Sequence, residues 1–461
     1  MPGIDDSCQP AGAGREVASR GSSSKPLHVA ASMVGQSEVG GPVPVAAQGQ
    51  GEGAAEASAH PAEAPQGVPL LDLGRQYAAI KDELEAAALR VLRSGQYVLG
   101  PDCRALEQEL ADYTHCRHAV ACASGSDALL LALMALGIRP GDEVLLPSFT
   151  FFATAGAVAR LGAVPVFVDI EAASFGIDPA RMAEAITPAT KAVIPVHLYG
   201  QCAAIEPILT TAAAHDLAVI EDAAQALGAA YEDRPAGSWG DMGCYSFYPT
   251  KNLGCAGDGG MVCTRRDDLA DKLHILRVHG MRQRYYHEAV GINSRLDTLQ
   301  AALLRVKLAH LEAWIAARRR AAERYSALLG PLEDQGLLVL PRELAQRRHV
   351  WNQYVIRVPG GLRDALRRYL QDRRVATEVY YPVPLHLQAC FADLGYRKGS
   401  LPETERAAAE VLALPMFAEI SEAEQVYVAA SIAGFFGLRG QAIPRPKFLD
   451  RAAGRVLPQE A

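Results

Sequence analysis

Four short apolar segments separated by helical patterns constrain the fold of this 461-residue chain. They cover residues 143–147, 164–169, 192–197 and 217–222. Near-continuous apolar runs of this length are typical of parallel strands that are buried on both faces of an α/β sheet. Ligands bind beyond the carboxyl ends of such strands, so Asp169, His197 and Asp222 are expected close to a site.

Composition changes along the chain predict four segments. Residues 1–67 are rich in Ala, Gly, Ser, Pro and Gln and are predicted to be a disordered extension, because they cannot bury enough apolar area. Residues 68–330 form the predicted large α/β domain, and residues 331–437 form a smaller α+β domain. Residues 438–461 are predicted to be a loose C-terminal tail.

Helical spacing and turn residues predict the other elements of the chain. Helices are expected at residues 82–92, 128–138, 223–229, 298–329, 362–372 and 403–412. Two more strands are expected in the smaller domain, at residues 354–358 and 376–381.

Charge and cysteine content exclude several classes of function. A net charge of −7 argues against broad nucleic-acid binding. The longest apolar run, residues 128–138, is too short to span a bilayer, and the N-terminus lacks the apolar core of a secretory signal. Nine scattered cysteines without a Cys-x-x-Cys pair are typical of reduced thiols. A cytoplasmic protein with no metal site and no membrane partner is predicted.

Lys251, in the motif Ser246-Phe-Tyr-Pro-Thr-Lys251, is the first candidate catalytic residue. Most lysines are solvated, and Lys251 alone would be assigned to the surface. An aromatic run at residues 245–248 precedes it, however, and a glycine-rich turn at residues 254–260 follows it. A desolvated lysine has a lowered pKa and can act as a nucleophile.

Asp222 ends an apolar run upstream of this lysine. A carboxylate that faces a pyridine nitrogen keeps that nitrogen protonated, which makes the ring an electron sink. Asp222 could instead cap the helix expected at residues 223–229. Gln225 stands one helical turn later on the same side, where it could contact a ring hydroxyl.

Hydroxyl groups and a helix start supply candidate phosphate ligands. Ser124-Gly-Ser126-Asp127 opens a predicted helix, where free main-chain amides favour an anion, although simple capping explains the same residues. Ser246 offers another hydroxyl. Pyridoxal 5'-phosphate needs an amine for its aldehyde, an acid for its ring nitrogen and donors for its phosphate, and the chain supplies all three.

For Phe151 and for His197 the sequence leaves open whether the side chain contacts a ligand or belongs to the protein core. Phe151 follows a predicted strand and could stack on a flat ring or pack in the core. His197 could contact a cofactor or substrate, or it could be a hydrogen-bonded core histidine.

In order along the chain, these motifs resemble the DegT/StrS-type sugar-nucleotide aminotransferases, which are pyridoxal-phosphate enzymes of fold type I. The resemblance runs from about residue 68 to residue 414. It rests on residues 100–102, 124–128, 141–144, 147–151, 196–201, 221–225, 246–251, 291–295 and 381–386. It implies a large domain with a mainly parallel central sheet and a smaller C-terminal α+β domain.

The resemblance also implies roles for single residues around the cofactor ring. Lys251 would bind the cofactor covalently and carry protons between substrate and cofactor. Asp222 would pair with the ring nitrogen and Gln225 with the ring oxygen, while Phe151 would stack on the ring.

The phosphate and the substrate would have their own ligands. Ser126, Asp127 and Ser246 would hold the phosphate. Asn293 would reach the cofactor phosphate of a neighbouring subunit, so that a homodimer with shared active sites is implied. The residues expected near the sugar nucleotide are Arg295, Tyr381 and His386.

The implied reaction is transamination of a nucleotide-linked keto sugar, with L-glutamate as amino donor, to give an amino sugar for glycan or secondary-metabolite biosynthesis. Residues 196–201 and 381–386 resemble relatives that act at the 3-position more than at the 4-position. Ser126 replaces the usual threonine and keeps its hydroxyl. Tyr380 stands where some relatives acting on 3-keto uronic acids have histidine, which argues against a uronate substrate.

Two alternatives share the fold. One is a pyridoxal-phosphate-dependent sugar dehydratase, but those relatives replace the lysine with histidine. The other is a non-catalytic regulatory protein that still binds the cofactor, and intact Lys251, Asp222 and Gln225 argue against it.

Overall fold

A seven-stranded sheet with helices packed on it forms the centre of the computed structural model, which describes residues 65–437. Within this range the helices are α1 (Leu73–Ala79), α2 (Lys81–Ser94), α3 (Pro101–Tyr113), α4 (Gly125–Leu136), α5 (Phe152–Arg160), α6 (Pro179–Glu184), α7 (Ile205–Ala214), α8 (Asp267–Leu276), α9 (Thr298–Glu333), α10 (Arg363–Gln371), α11 (Pro402–Glu410) and α12 (Glu422–Phe435). The strands are β1 (His118–Cys122), β2 (Glu143–Pro147), β3 (Val164–Val168), β4 (Thr190–Val193), β5 (Ala218–Asp222), β6 (Ala230–Tyr231), β7 (Arg234–Pro235), β8 (Met242–Ser246), β9 (Gly260–Thr264), β10 (Met281–Gln283), β11 (Tyr286–His287), β12 (Arg347–Arg348), β13 (Tyr354–Arg357) and β14 (Val411–Leu414).

The central sheet is mainly parallel, as predicted. Its strand order is β1-β9-β8-β5-β4-β2-β3, and β9 is antiparallel to both of its neighbours while the other pairs are parallel. The four apolar segments identified in the sequence supply β2, β3, β4 and β5. Strand β4 ends before Pro195, which has no amide hydrogen for a strand ladder.

The longest apolar run of the sequence forms α4, which packs on β5, β8 and β9. Its residues from Ala128 to Leu133 are all buried. A helix that is apolar on all sides is stable only inside a core, which explains this composition. The start of α4 therefore lies directly against the sheet.

Two predicted elements are absent. Residues 223–229 form turns rather than a helix, because the amide of Ala223 donates to the carbonyl of Cys244 in β8. Tertiary pairing thus overrides the helix propensity of this alanine-rich segment. The strand expected at residues 376–381 is reduced to one bridge, between Glu378 and Ala413 in β14.

The smaller antiparallel sheet pairs β13 with β14. The helix predicted over residues 403–412 ends at Glu410, and β14 begins at the next residue, Val411. Helix α9 continues through residue 330, the predicted domain boundary, so the division at this residue stays a prediction. Residues 1–64 and 438–461, which include most of the predicted extension and the whole predicted tail, lie outside the described residues.

Within residues 65–437 no helix is both long enough and apolar enough to cross a membrane. In the same part of the chain, no group of three or more His, Cys, Asp or Glu side chains is placed to hold a metal ion.

Candidate active site

A cavity of about 610 Å³ opens at the carboxyl ends of β5 and β8, beside the start of α4. It brings together residues that are far apart in the sequence. The sequence-predicted residues that line it are Ser126, Phe151, His197, Asp222, Gln225, Ser246, Lys251 and Tyr381. Ser126 on α4, Asp222 at the end of β5 and Ser246 at the end of β8 lie on elements that the core holds in place.

Lys251 lies in the segment that follows β8. Main-chain bonds shape this segment, because the amide of Lys251 donates to the carbonyl of Tyr248 and the amide of Cys255 donates to that of Phe247. The side chain reaches the cavity but is closely surrounded by protein atoms, and this desolvation lowers its pKa to about 8. The negative charge of Asp222 opposes the shift. The amine is therefore deprotonated more easily than an ordinary lysine.

Asp222 is buried at the end of β5. Burial raises the pKa of its carboxyl, while hydrogen bonds from Thr154 and the amide of Ala224 oppose that rise. The Oγ1 atom of Thr154 donates to Oδ2 at 2.8 Å, and the amide of Ala224 donates to Oδ1 at 3.2 Å. The carboxylate is thus fixed through both oxygens, and it does not cap a helix.

Gln225 is anchored by the turn that follows β4. Its Oε1 atom accepts a 2.7 Å hydrogen bond from the amide of Tyr199. The side-chain NH₂ group carries two donors, and one of them faces the hydroxyl of Tyr381. Gln225 could therefore donate to an oxygen of a ligand in the cavity.

The start of α4 and the end of β8 form the anion-favouring part of the cavity. Ser124 caps the helix by accepting from the amide of Asp127 at 3.1 Å. A Cβ atom on Gly125 would lie 2.6 Å from Cβ of Ser246, so a side chain there would prevent this close approach. Free helix amides beside the hydroxyls of Ser126 and Ser246 suit a phosphate group.

His197 lines the cavity, but protein partners occupy both ring nitrogens. Nε2 lies 2.8 Å from Oε2 of Glu221, and Nδ1 accepts from the amide of Ala203 at 3.1 Å. Glu221 also accepts from three main-chain amides of residues 237–240. Of the two alternatives for His197, this geometry favours the hydrogen-bonded core histidine.

Four sequence-predicted site residues lie outside the lining of this cavity: Asp127, Asn293, Arg295 and His386. The Oδ2 atom of Asp127 accepts from the hydroxyl of Ser294 at 2.7 Å. Asn293 is exposed and Arg295 is half-buried. His386 is buried and bonded to other side chains.

Asp169, expected near a site because it follows β3, also has a structural partner. Its carboxylate accepts from the amides of Glu403 at 3.0 Å and Thr404 at 2.8 Å. It therefore fixes the start of α11 to the edge of the sheet.

Tyr380, which the sequence singled out as a position bearing on the substrate, also lines the cavity, whereas sequence reasoning missed several other lining residues: Thr150, Tyr248, Thr250, Asp258 and Gln353. Tyr248 and Thr250 lie inside the lysine motif and could have been found there. Gln353 comes from a distant part of the chain, and no spacing pattern connects it with Lys251. Thr154 was also missed, although it is the one polar residue among the buried residues of α5.

The cavity suits pyridoxal phosphate on three counts. It holds an amine with a lowered pKa, a fixed carboxylate, and a helix start with adjacent hydroxyls that suits an anion. Phe151 also lines it and offers an aromatic face.

Comparison with known proteins agrees with this assignment. Residues 78–433 match the model of the DegT/DnrJ/EryC1/StrS aminotransferase family. The chain is 51% identical over 369 residues to a pleiotropic regulatory protein of Geobacillus stearothermophilus, covering 80% of this chain and 98% of that protein. It is 46% identical over 365 residues to UDP-N-acetyl-3-dehydro-alpha-D-glucosamine 3-aminotransferase of Acidithiobacillus ferrooxidans, covering 79% of this chain and 97% of the relative.

Solved structures give the same result. The crystal structure of DesV from S. venezuelae in complex with a ketimine intermediate has a TM-score of 0.77 and 43% sequence identity, covering 80% of this chain and 98% of that one. Similar solved structures include forms with pyridoxal phosphate and with pyridoxamine phosphate. These findings confirm the predicted family resemblance, fold class and cofactor.

Proposed function

Since this chain belongs to the DegT/DnrJ/EryC1/StrS aminotransferase family, we propose that it transfers an amino group to a keto sugar linked to a nucleoside diphosphate. The 3-position is favoured, in line with the name of the Acidithiobacillus relative, which is a 3-aminotransferase. L-Glutamate is the proposed donor. The product would be an amino sugar for glycan or secondary-metabolite biosynthesis.

One observation carries the proposal. Lys251, whose pKa is lowered to about 8, and Asp222, fixed by Thr154, line the same cavity. A lysine that is easily deprotonated can act first as a nucleophile and then as an acid and base. A protein that only binds nucleotide sugars needs neither property.

When bound, pyridoxal phosphate supplies an aldehyde for amines and a ring that stabilises negative charge on a neighbouring carbon. Asp222 would hold a proton on the ring nitrogen, because its carboxylate is fixed and buried. The Nζ atom of Lys251 would deliver and remove the proton at the sugar carbon. Gln225 would donate to the ring oxygen, while Ser126, Ser246 and the first amides of α4 would bind the phosphate.

Aromatic side chains are proposed to shape the substrate end of the cavity. Tyr248, more than half exposed, lines it, next to Phe151, which is proposed to stack on the cofactor ring. Tyr380 and Tyr381 form another part of the lining. Such groups offer apolar faces to a sugar and a nucleobase and exclude water from the reacting carbon.

A homodimer is also proposed. Asn293 is exposed and lies outside the lining of this chain's cavity. Its exposure supports the predicted role, in which it reaches the cofactor phosphate of a second subunit. Arg295 is proposed to contact the nucleotide sugar. The cytoplasmic location stays a prediction.

The test is a substrate panel. Purified protein with pyridoxal phosphate and L-glutamate is incubated with 3-keto and 4-keto nucleotide sugars, and mass spectrometry detects the amine product. We expect amine from at least one 3-keto sugar and none with Lys251→Ala. Amine from 4-keto sugars alone would overturn the favoured position.

A regulatory function is the second candidate, because one relative at 51% identity is named a pleiotropic regulatory protein. The two functions differ in their response to an amino donor. A catalytic protein changes its cofactor absorbance when glutamate is added, whereas a purely regulatory one keeps its spectrum with every donor. The intact pair of Lys251 and Asp222 favours catalysis.

A further inference from the structure

We propose that His386 is a positioning residue that acts through Ser148 and Glu405 to hold the wall of the cavity formed by Phe151 and Tyr381. The sequence resemblance placed His386 near the nucleotide sugar. In the structure both of its ring nitrogens face protein partners. The inference deepens the proposed function, on which its kinetic measurement depends.

The hydrogen bonds fix the direction of each proton. The main-chain amide of His386 donates to Oγ of Ser148 at 3.1 Å, so this hydroxyl acts as an acceptor there. The hydroxyl's own proton is then free for Nδ1 of His386, 2.7 Å away. Nε2 carries the ring proton and faces Oε1 of Glu405 at 3.2 Å. Burial lowers the pKa of His386, which favours this neutral form.

Glu405 is itself held in place. The main-chain amide of Gly399 donates to both carboxylate oxygens of Glu405, to Oε1 at 2.7 Å and to Oε2 at 2.9 Å. Glu405 lies in α11, whose start is bonded to Asp169 at the edge of the central sheet. The ring of His386 is therefore held between two anchored groups.

Ser148 and His386 belong to the two segments that form one wall of the cavity. Ser148 precedes Phe151 by three residues, and His386 follows Tyr381 by five. The carbonyl of Ser148 also accepts from the amide of Leu385 at 3.0 Å. The rings of Phe151 and Tyr381 lie 6.0 Å apart, centroid to centroid. A bond between the two segments thus sets the separation of the two aromatic side chains.

Burial argues against a direct role for Ser148 or His386 in binding substrate. The two residues are only 0% and 1% exposed, respectively. Neither lines the cavity, whereas Phe151 and Tyr381 both do. The pair can influence a ligand only through the segments that it joins.

A double-mutant cycle on the full-length protein tests the inference. The variants are Ser148→Ala, His386→Ala, the double variant and His386→Asn, whose amide oxygen replaces Nδ1 as the acceptor for Ser148. The main measurement is the affinity of the apoprotein for pyridoxal phosphate, which needs no sugar substrate. The second measurement determines kcat and KM separately, with the nucleotide sugar that gives the most amine product in the substrate panel.

We expect each alanine variant to weaken cofactor affinity about 3- to 10-fold, because partial loss of aromatic stacking has effects of this size. The double variant should bind the cofactor about as well as the single variant with the lower affinity, since each single change already removes the bond between Oγ of Ser148 and Nδ1 of His386. His386→Asn should recover most of the affinity. Ser431→Ala, which removes a buried hydroxyl that donates only to the carbonyl of Tyr427, should leave it unchanged.

The opposite pattern would overturn the inference. In that pattern Ser148→Ala has the cofactor affinity and the kinetic constants of the wild type, while both His386 variants have a raised KM for the nucleotide sugar. Multiplicative effects in the double variant would also overturn it. If no variant, including the wild type, turned over any sugar, the proposed function would fail while the cofactor titration still decided the role of His386.

Discussion

The hydroxyl of Thr154 in α5 donates a 2.8 Å hydrogen bond to Asp222 at the end of β5. Both residues are buried, and the bond stabilises the charged form of a carboxyl whose pKa burial raises. A proton held on the cofactor's ring nitrogen requires that charged form. Thr154 therefore supports the chemistry through Asp222.

Replacing Thr154 with valine should slow the half-reaction with glutamate. A hydrogen bond to a charged group contributes about 1.5–3 kcal/mol, which corresponds to a decrease of about 10- to 100-fold if the bond acts fully in the transition state. Cofactor absorbance in a stopped-flow instrument measures the rate. Thr154→Ser keeps the hydroxyl and should stay near the wild-type rate. A wild-type rate for Thr154→Val would show that the bond has no role in the reaction.

Lys251 should carry the cofactor covalently. Borohydride reduction followed by peptide mass spectrometry should place the pyridoxyl group on Lys251, and Lys251→Ala should lose at least about a thousandfold in turnover, as expected for a missing acid–base group and nucleophile. Lys272→Ala is the matched control, because this lysine donates to the carbonyl of Ala135 away from the cavity. Label on any other lysine would contradict the assignment.

Cofactor binding to the apoprotein should depend on pH through the amine of Lys251, whose pKa is about 8. Only the neutral amine attacks an aldehyde, so the rate should rise about tenfold per pH unit below 8 and level off above it. An ordinary lysine would continue to rise to about pH 10. Stopped-flow absorbance between pH 6 and pH 10 measures this.

A second variant tests the cause of that pH profile. The charge of Asp222 raises the pKa of Lys251, against the larger effect of burial. Asp222→Asn should therefore move the inflection to lower pH. An unchanged or higher inflection would mean that Asp222 does not act on the lysine in this way.

Gly125→Ala should disrupt the phosphate end of the cavity. Its new Cβ would lie 2.6 Å from Cβ of Ser246, so the start of α4 and the end of β8 must separate. Overpacking of this kind destabilises by about 1–3 kcal/mol, measured by urea unfolding, and cofactor affinity should fall with it. Gly434→Ala in α12 is the control, since its Cβ would meet only the hydroxyl of Tyr369, at 3.1 Å. Equal effects of the two variants would argue against the phosphate assignment.

Complementation between subunits should reveal whether Asn293 serves a neighbouring active site. Lys251→Ala and Asn293→Ala subunits, each nearly inactive alone, should regain about a quarter of wild-type activity when they are mixed, because half of the dimers then contain one intact site. Mixing Lys251→Ala with Asp222→Asn subunits is the control and should restore nothing. No recovery in the first mixture would place Asn293 in its own chain's site or outside the site.

Much of the fold follows directly from the sequence. Parallel strands buried on both faces must be short apolar runs, and the segments forming β2, β3, β4 and β5 are such runs. The same pattern places Asp222 at the end of a strand, whereas the strand that ends at Ser246 and precedes Lys251 was not predicted.

The sequence alone determined that this chain forms a mainly parallel α/β sheet and carries a lysine and an aspartate suited to one cofactor. Only the tertiary structure decided how those groups are supported. Thr154 and Asp222 are 68 residues apart, and Ser148 and His386 are 238 apart. Local propensity does not encode such pairs, because crossover connections and docking of the C-terminal segments bring them together. For the same reason the helix expected after Asp222 is absent, since its first amide pairs with β8 instead.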